Sequence, residues 1–113
     1  MTARESSPSS IDRIKELLEY YPDDVLLLIT LGRGYMQQGQ YREAEEAFLR
    51  AVDLDPAYSV AYRYLAQAYE KSGNVTGAAE TYEHGIRVAR GQGDMQAAKE
   101  MKVFLKRLTR DRR

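Results

Sequence analysis

Residues 25–56 read VLLLITLGRGYMQQGQYREAEEAFLRAVDLDP, and residues 59–90 read SVAYRYLAQAYEKSGNVTGAAETYEHGIRVAR. The second stretch repeats the first after a shift of 34 residues, which places Tyr69 on Tyr35 and matches large residues with large and small with small. Self-similarity at a fixed period of this length is typical of repeat proteins, in which each copy forms one small structural unit. The sequence therefore predicts two stacked copies of the same unit.

Each copy has the hydrophobic spacing of two helices joined by a tight turn. In the first copy, Leu28, Leu31 and Tyr35 fall at steps of three and four residues and therefore share one helical face. Gly39 ends this helix, since glycine adopts the left-handed backbone of a C-terminal cap without steric cost. Pro56 ends the second helix, because a proline ring disfavours the helical conformation of the residue before it.

Small residues occupy matched places in both copies. Gly32 in the first copy corresponds to Ala66 in the second, and Ala44 corresponds to Ala78. A large side chain at such a place would hold two helices apart. We therefore expect the two helices of each copy to approach closely there.

These residues resemble the tetratricopeptide repeat family, whose unit carries a large apolar residue, a leucine, a small residue and a tyrosine, and later an alanine, an aromatic residue, an alanine and a proline. The second copy departs from the pattern with Gly85 for the later alanine and Arg90 for the proline. The resemblance implies an all-α fold, a right-handed superhelical solenoid of antiparallel helix pairs with about six helices. The matching residues are Leu28, Leu31, Gly32, Tyr35, Ala44, Phe48, Ala51 and Pro56 in the first copy, and Tyr62, Leu65, Ala66, Tyr69, Ala78 and Tyr82 in the second.

The pattern breaks after the second copy, but one more helix is expected. Asp94 can cap it, and Met101 and Phe104 belong to an apolar stripe opposite a charged face that includes Lys102 and Arg107. Such a helix would cover the end of a solenoid. The predicted layout is a polar tail at 1–10, a single domain at 11–109 with a half-repeat helix at 11–22, full repeats at 25–56 and 59–90 and a capping helix at 94–109, and a basic tail at 110–113.

The composition removes most catalytic and metal-binding chemistry. The chain has no cysteine and one histidine, His84, so it lacks thiolate ligands, cysteine nucleophiles and most acid–base pairs. Glu43, Glu45 and Glu46 are adjacent carboxylates on the second helix of the first copy, and we expect water to solvate them. The sequence predicts no enzymatic activity, no metal and no cofactor.

No stretch of the sequence is built for a membrane. The longest strongly apolar run, 25–29, has five residues, whereas a spanning helix needs about 20. Residues 1–10 are polar and lack the apolar stretch of a signal peptide, which predicts a cytoplasmic protein.

The family resemblance implies that the first helices of successive units line a concave groove. The residues off their packing stripes combine apolar side chains, one tyrosine and three cations, which predicts a surface for a peptide or partner protein with acidic and apolar groups. An alternative for Leu26 and Ile29 is that they pack beneath the N-terminal helix or tail. The predicted groove residues are Leu26, Ile29, Thr30, Arg33, Met36, Gln37, Val60, Arg63, Tyr64, Gln67, Glu70 and Lys71.

Some family members bind the C-terminal carboxylate of heat-shock chaperones with a lysine and asparagines in their first helices. Ile29, Arg33 and Tyr64 stand at the matching places here, so the resemblance does not extend to that activity.

We interpret the chain as a non-catalytic protein-interaction module and keep two alternatives. Ile14, Leu17 and Leu18 form an unpaired N-terminal half unit that covers one side of the first repeat, and its open apolar edge favours a weak homodimer in a self-associating module. The other alternative is nucleic-acid association through the C-terminal helix, since residues 1–86 carry a net charge of −6 and residues 87–113 one of +6. The neutral total charge makes nucleic acid the weaker alternative.

Overall fold

The computed structural model describes residues 9–110, and the secondary structure in that range is entirely helical. Residues 1–8 and 111–113 lie outside the described residues, together with most of the predicted polar tail 1–10 and basic tail 110–113. The helices are α1 (Ser10–Tyr20), α2 (Val25–Gln37), α3 (Tyr41–Leu54), α4 (Ser59–Lys71), α5 (Val75–Gly91) and α6 (Met95–Arg110).

Turns of three or four residues join consecutive helices, so each helix folds back against the one before it. Contacts run in order from α1 to α6, and α4 also contacts both α2 and α6. The stack measures 51 × 31 × 19 Å. The helices therefore form an elongated pile in which α2, α4 and α6 adjoin on one side.

Three turns depend on a glycine with a left-handed backbone. Gly39, Gly73 and Gly93 have φ angles of 74°, 89° and 76°, which residues with a β-carbon rarely adopt. The side chains of Asn74 and Asp94 then cap α5 and α6 by accepting backbone N–H groups at 2.9 Å and 3.1 Å. The cap at Asp94 and the helix stop at Gly39 confirm the sequence predictions.

The first repeat, α2 and α3, closes around a phenylalanine. Phe48 of α3 is fully buried, and its ring lies against Gly32 of α2. A β-carbon at Gly32 would stand 2.6 Å from Phe48 Cζ, closer than two carbon atoms approach without repulsion. The predicted close approach of the two helices is confirmed.

The second repeat, α4 and α5, closes around a tyrosine. Tyr82 is fully buried, and its hydroxyl donates a hydrogen bond of 2.5 Å to Glu70 Oε2 of α4. Gly85, one turn later on α5, leaves space for the next helix, since a β-carbon there would lie 2.6 Å from Met101 Sδ and 2.9 Å from Tyr62 Cβ. Glycine at this position is therefore a consequence of packing.

The C-terminal helix α6 is part of the core. Met101 is fully buried and Ala98 is 3% exposed, both in a cluster with Tyr82 and Ile86. Phe104, Leu105 and Leu108 pack against the same cluster. The predicted apolar stripe of this helix is confirmed.

The N-terminal helix α1 is attached less deeply. Its first turn has a capping box of Ser9 and Asp12, and Ile11 packs with Leu31 of α2. Leu17, which we expected to cover the first repeat, is 46% exposed. The expectation is wrong for this residue because α1 contacts only α2 and so buries a single narrow stripe.

Candidate functional site on the concave side

The predicted groove lies on the side of the stack on which α2, α4 and α6 adjoin, and we keep the name concave groove for this side. Eleven of the twelve predicted groove residues are exposed or half-buried, and Leu26 is 65% exposed rather than packed beneath α1. Ile29 is the exception: it is 6% exposed and belongs to a core cluster with Leu28 and Phe48. Its assignment to the groove is wrong, because α1, α3 and α4 all contact α2 and cover more of its circumference than one apolar stripe.

The groove contains two arginines over one tyrosine ring. Arg63 Cζ lies 4.8 Å and Arg33 Cζ 5.5 Å from the centroid of the Tyr64 ring. Tyr64 itself stacks on Phe48, with ring centroids 5.5 Å apart and an angle of 18° between the planes. Our expectation that packing does not require Tyr64 is therefore corrected, since this ring joins the groove to the core.

The two arginines have no carboxylate partner in the described part of the chain. The ion pair found among residues 9–110 joins Arg50 to Asp23 at 3.0 Å, and both side chains are exposed. Arg33 and Arg63 are thus held near an aromatic face without neutralisation. Their position favours an anionic group on a ligand.

A cleft of about 260 Å³ continues the groove towards α6. Its α6 wall consists of Phe104 and Arg107, with Arg107 Cζ 6.0 Å from the Phe104 ring centroid. The sequence predicts Arg107 on the charged face of a capping helix; the residue is exposed as predicted, and it also lines this cleft. The available signal was its spacing of three residues from Phe104, which puts both on one helical face. The cleft is also lined by Met36, Gln67, Glu70, Lys71 and Tyr82.

The charge of the groove is mainly positive. Burial raises the pKa of Tyr82 well above its usual value, and the hydrogen bond to Glu70 and the charge of that carboxylate raise it further. The charges of Arg63 and Arg107 act on this pKa in the opposite direction, so both lie near the cleft. By count, the groove and its cleft carry one carboxylate, Glu70, and four cations: Arg33, Arg63, Lys71 and Arg107.

The structure shows the surroundings of His84 and Glu45, two side chains considered above for catalytic chemistry. His84 is exposed, with its ring centroid 4.7 Å from that of Tyr62. Glu45 is half-buried, and its Oε2 atom has no hydrogen-bond partner among residues 9–110, so the expectation of full solvation is wrong for this carboxylate. The packing of α4 on α3 brings it near Tyr69, whose pKa is raised by burial and then by Glu45.

Two negative findings apply to residues 9–110. No group of three histidine, aspartate or glutamate side chains in this range could hold a metal ion. Within the same range, each helix is too short or too polar to span a bilayer.

Sequence comparison places this chain with proteins of one repeat family. The profile described as "Tetratricopeptide repeat" matches residues 29–94. The TPR repeat-containing protein PA0015 of Pseudomonas aeruginosa is 38% identical over 102 residues, which are 90% of this chain and 97% of that protein. The heat-shock protein cognate co-chaperone sgt12 of Aspergillus fumigatus is 33% identical over 97 residues, 86% of this chain but 28% of that protein.

Structural comparison agrees. Protein BPP2914 of Bordetella parapertussis, solved in solution, superposes with a TM-score of 0.81 and 35% sequence identity. The superposition covers 93% of this chain and 91% of that one. Together with the six helices in the described range, this likeness confirms the predicted all-α solenoid of helix pairs.

Proposed function

Because the chain belongs to the tetratricopeptide repeat family, we propose that it is a non-catalytic interaction module whose concave groove binds a peptide segment of a partner protein. The observation that carries the proposal is the pair of guanidinium groups, of Arg33 and Arg63, over the ring of Tyr64. Arginine and tyrosine dominate the binding energy of many protein interfaces. These three side chains lie on two adjacent helices and meet at one point of the groove.

The groove selects a segment with an acidic residue followed or preceded by an apolar one. A carboxylate placed between Arg33 and Arg63 receives charge-assisted hydrogen bonds that the described chain does not supply. An apolar side chain fits the neighbouring cleft between Met36 and Phe104. Complementary charge also raises the association rate and rejects basic competitors.

The similarity to a co-chaperone does not lead us to propose the chaperone C-terminus as the ligand. The two chains match over 28% of that protein's length, so its partners as a whole protein are not carried over to this chain. At the places where the family's carboxylate-binding members carry lysine and asparagine, this chain has a buried Ile29, Arg33 and the stacked Tyr64. A different acidic segment fits this groove better.

The proposal is tested by affinity capture from a native lysate with the immobilised chain, followed by titration of the captured partner. Arg33→Ala combined with Arg63→Ala removes both guanidinium groups from exposed or half-buried places and leaves the core intact. We expect binding to weaken about tenfold or more, equivalent to roughly 1.4 kcal/mol. Lys102→Ala, at an exposed position of α6 outside the groove and its cleft, is the control and should leave affinity unchanged.

One pattern of binding would contradict the proposal. If the Arg33/Arg63 variant keeps the partner and Lys102→Ala loses it, binding belongs to the basic outer face of α6. Circular dichroism of both variants verifies that neither result comes from unfolding.

Self-association is a second candidate, supported by the exposed apolar face at the N-terminal end. Leu17, Tyr20 and Tyr21 are 46%, 76% and 60% exposed, and Leu17 and Tyr20 line one shallow cavity. We propose a weak homodimer through this face, and sedimentation that stays monomeric at high micromolar concentration contradicts it. The cytoplasmic location stays a prediction that cell fractionation can test.

A further inference from the structure

A second cleft lies between α3 and α5, with α4 as its floor, and we call it the outer cleft. It has a volume of about 450 Å³, within the range of about 300–1,000 Å³ typical of small-ligand pockets. It therefore accommodates one or two side chains of a partner rather than a whole helix. None of its lining residues belongs to the concave groove.

The floor of the outer cleft is aromatic. Tyr62 and Tyr69 of α4 line it, and the exposed ring of His84 lies 4.7 Å from the Tyr62 ring, measured between centroids. The Tyr62 hydroxyl is occupied, since it donates to the backbone oxygen of Pro56 at 2.8 Å. The Tyr62 ring itself is buried, with 4% exposure, so a ligand meets the half-buried ring of Tyr69, whose electron-rich face attracts cations, and the exposed imidazole of His84.

The walls of the outer cleft are acidic. Asp53 of α3 and Glu80 of α5 stand on different walls, both exposed, and neither forms an ion pair with another residue of 9–110. The lining contains no lysine and no arginine. Burial raises the pKa of Tyr62, and the charges of Asp55 and Asp53 raise it further, as expected where negative charge surrounds the rings.

We propose that the outer cleft binds an arginine side chain presented by an extended segment of a partner protein. A guanidinium group is planar, stacks on aromatic rings and forms paired hydrogen bonds with carboxylates, so it matches both the floor and the walls. Lysine has no planar surface to stack and holds its water more strongly. Leu49, which is 40% exposed on the rim, receives an apolar neighbour of that arginine.

The inference is independent of the function proposed for the concave groove. The groove is rich in cations and selects an acidic segment, whereas the outer cleft is rich in carboxylates and selects a basic one. The two surfaces share α4 but face different partners.

The test uses the whole chain labelled with nitrogen-15 and an acetylated, amidated pentapeptide of sequence Ala-Leu-Arg-Leu-Ala. A second peptide replaces arginine with citrulline, which has nearly the same shape but no charge. We expect amide shifts of Thr81 and His84 to follow the arginine peptide, and the citrulline peptide to bind about tenfold more weakly.

Two double variants test whether the carboxylates in the walls of the outer cleft bind the arginine peptide. Asp53→Asn combined with Glu80→Gln should weaken the arginine peptide about tenfold, and Glu43→Gln combined with Glu83→Gln, which removes two exposed carboxylates of the same helices outside the cleft, should not. Equal binding of the two peptides, full binding by the Asp53/Glu80 variant, or shifts centred on Arg63 overturns the proposal. Sedimentation showing self-association that the Asp53/Glu80 variant abolishes also overturns it, since a second copy then occupies the cleft.

Discussion

The two full repeats follow one template but fill it differently. In α2–α3 the central ring is Phe48, which rests against Gly32, whereas in α4–α5 it is Tyr82, whose hydroxyl bonds to Glu70. The later small position also changes, from Ala51 to Gly85. Each repeat also has a glycine where the other has alanine, and a neighbour explains each one. Gly32 lies against the Phe48 ring, and Gly85 lies against Met101 of a helix outside the repeat pattern. Departures from the template thus show where a repeat meets a specific partner.

The largest effect is expected from removing that outside neighbour. Deleting residues 94–113 uncovers Tyr82 and Ile86, which pack with Met101 in one cluster. We expect loss of cooperative thermal unfolding and aggregation, measured by circular dichroism and light scattering. Deleting residues 1–20 should be milder, since α1 has a single buried residue, Ile11, which is 8% exposed. An unchanged melting midpoint in the C-terminal truncation contradicts the dependence of the second repeat on α6.

The next effect concerns the first repeat alone. Gly32→Leu forces a large side chain into the space of the Phe48 ring and should destabilise the chain by about 3 kcal/mol or more, near or above the usual upper value for overpacking. Chemical denaturation measures the change. A midpoint equal to that of the native sequence would falsify the close contact between α2 and α3.

The small residue after the central ring is Ala51 in the first repeat and Gly85 in the second, and exchanging the two residue types tests why they differ. Gly85→Ala restores the residue of the template, yet its new β-carbon would meet Met101 Sδ and Tyr62 Cβ. We therefore expect a loss of stability of about 1–2 kcal/mol. Ala51→Gly in the first repeat should also destabilise, by about 1 kcal/mol, through lost helix propensity. If Gly85→Ala is instead stabilising, as helix propensity alone would make it, Met101 does not dictate this position.

Replacing Tyr82 by phenylalanine gives both repeats the same central ring and should have a smaller effect on stability. Tyr82→Phe removes the hydrogen bond to Glu70 and should cost about 1 kcal/mol near neutral pH. Because burial and Glu70 raise the pKa of Tyr82 in the fold, its stabilisation is complete below the unfolded value of about 10 and declines at higher pH. The variant should therefore lose stability less steeply above that pH. Tyr62 and Tyr69, whose pKa values are also raised, retain part of the decline.

The smallest effect is expected at Glu45, whose counterpart in the second repeat is Ala79. Glu45→Ala removes a carboxylate oxygen that is buried without a hydrogen-bond partner in residues 9–110, and alanine favours the helix. We expect stabilisation by about 0.5 kcal/mol, measured by thermal denaturation. A clear loss of stability would show that Glu45 is paired in solution.

The repeat positions were predictable because their packing partners belong to the same template. The close approach of two helices at Gly32 follows from the pattern alone, and so does the cap at Asp94, which depends only on the local sequence. Ile29 was misplaced because its burial requires α4 as a third neighbour of α2.

Two further features have the same origin. Arg107 is exposed as expected, but its place beside the groove could not be predicted because the groove's third helix lies outside the repeat pattern. The partial burial of Glu45 could not be predicted because α4 comes to pack beside it. Spacing along one helix does not contain this information. Tyr64 was identified as a groove residue, but its stacking on Phe48 is visible only in the structure.

The order of contacts between the helices also bears on how the chain folds. Each helix touches neighbours one or two places away, and no contact joins α1 to α6 in the described range. Such proteins have low contact order, so little loop entropy is lost before native contacts form, and helical chains of this kind fold in microseconds to milliseconds. During synthesis, α2 and α3 can therefore pair as soon as they leave the ribosome, and each later helix adds to a surface that is already formed.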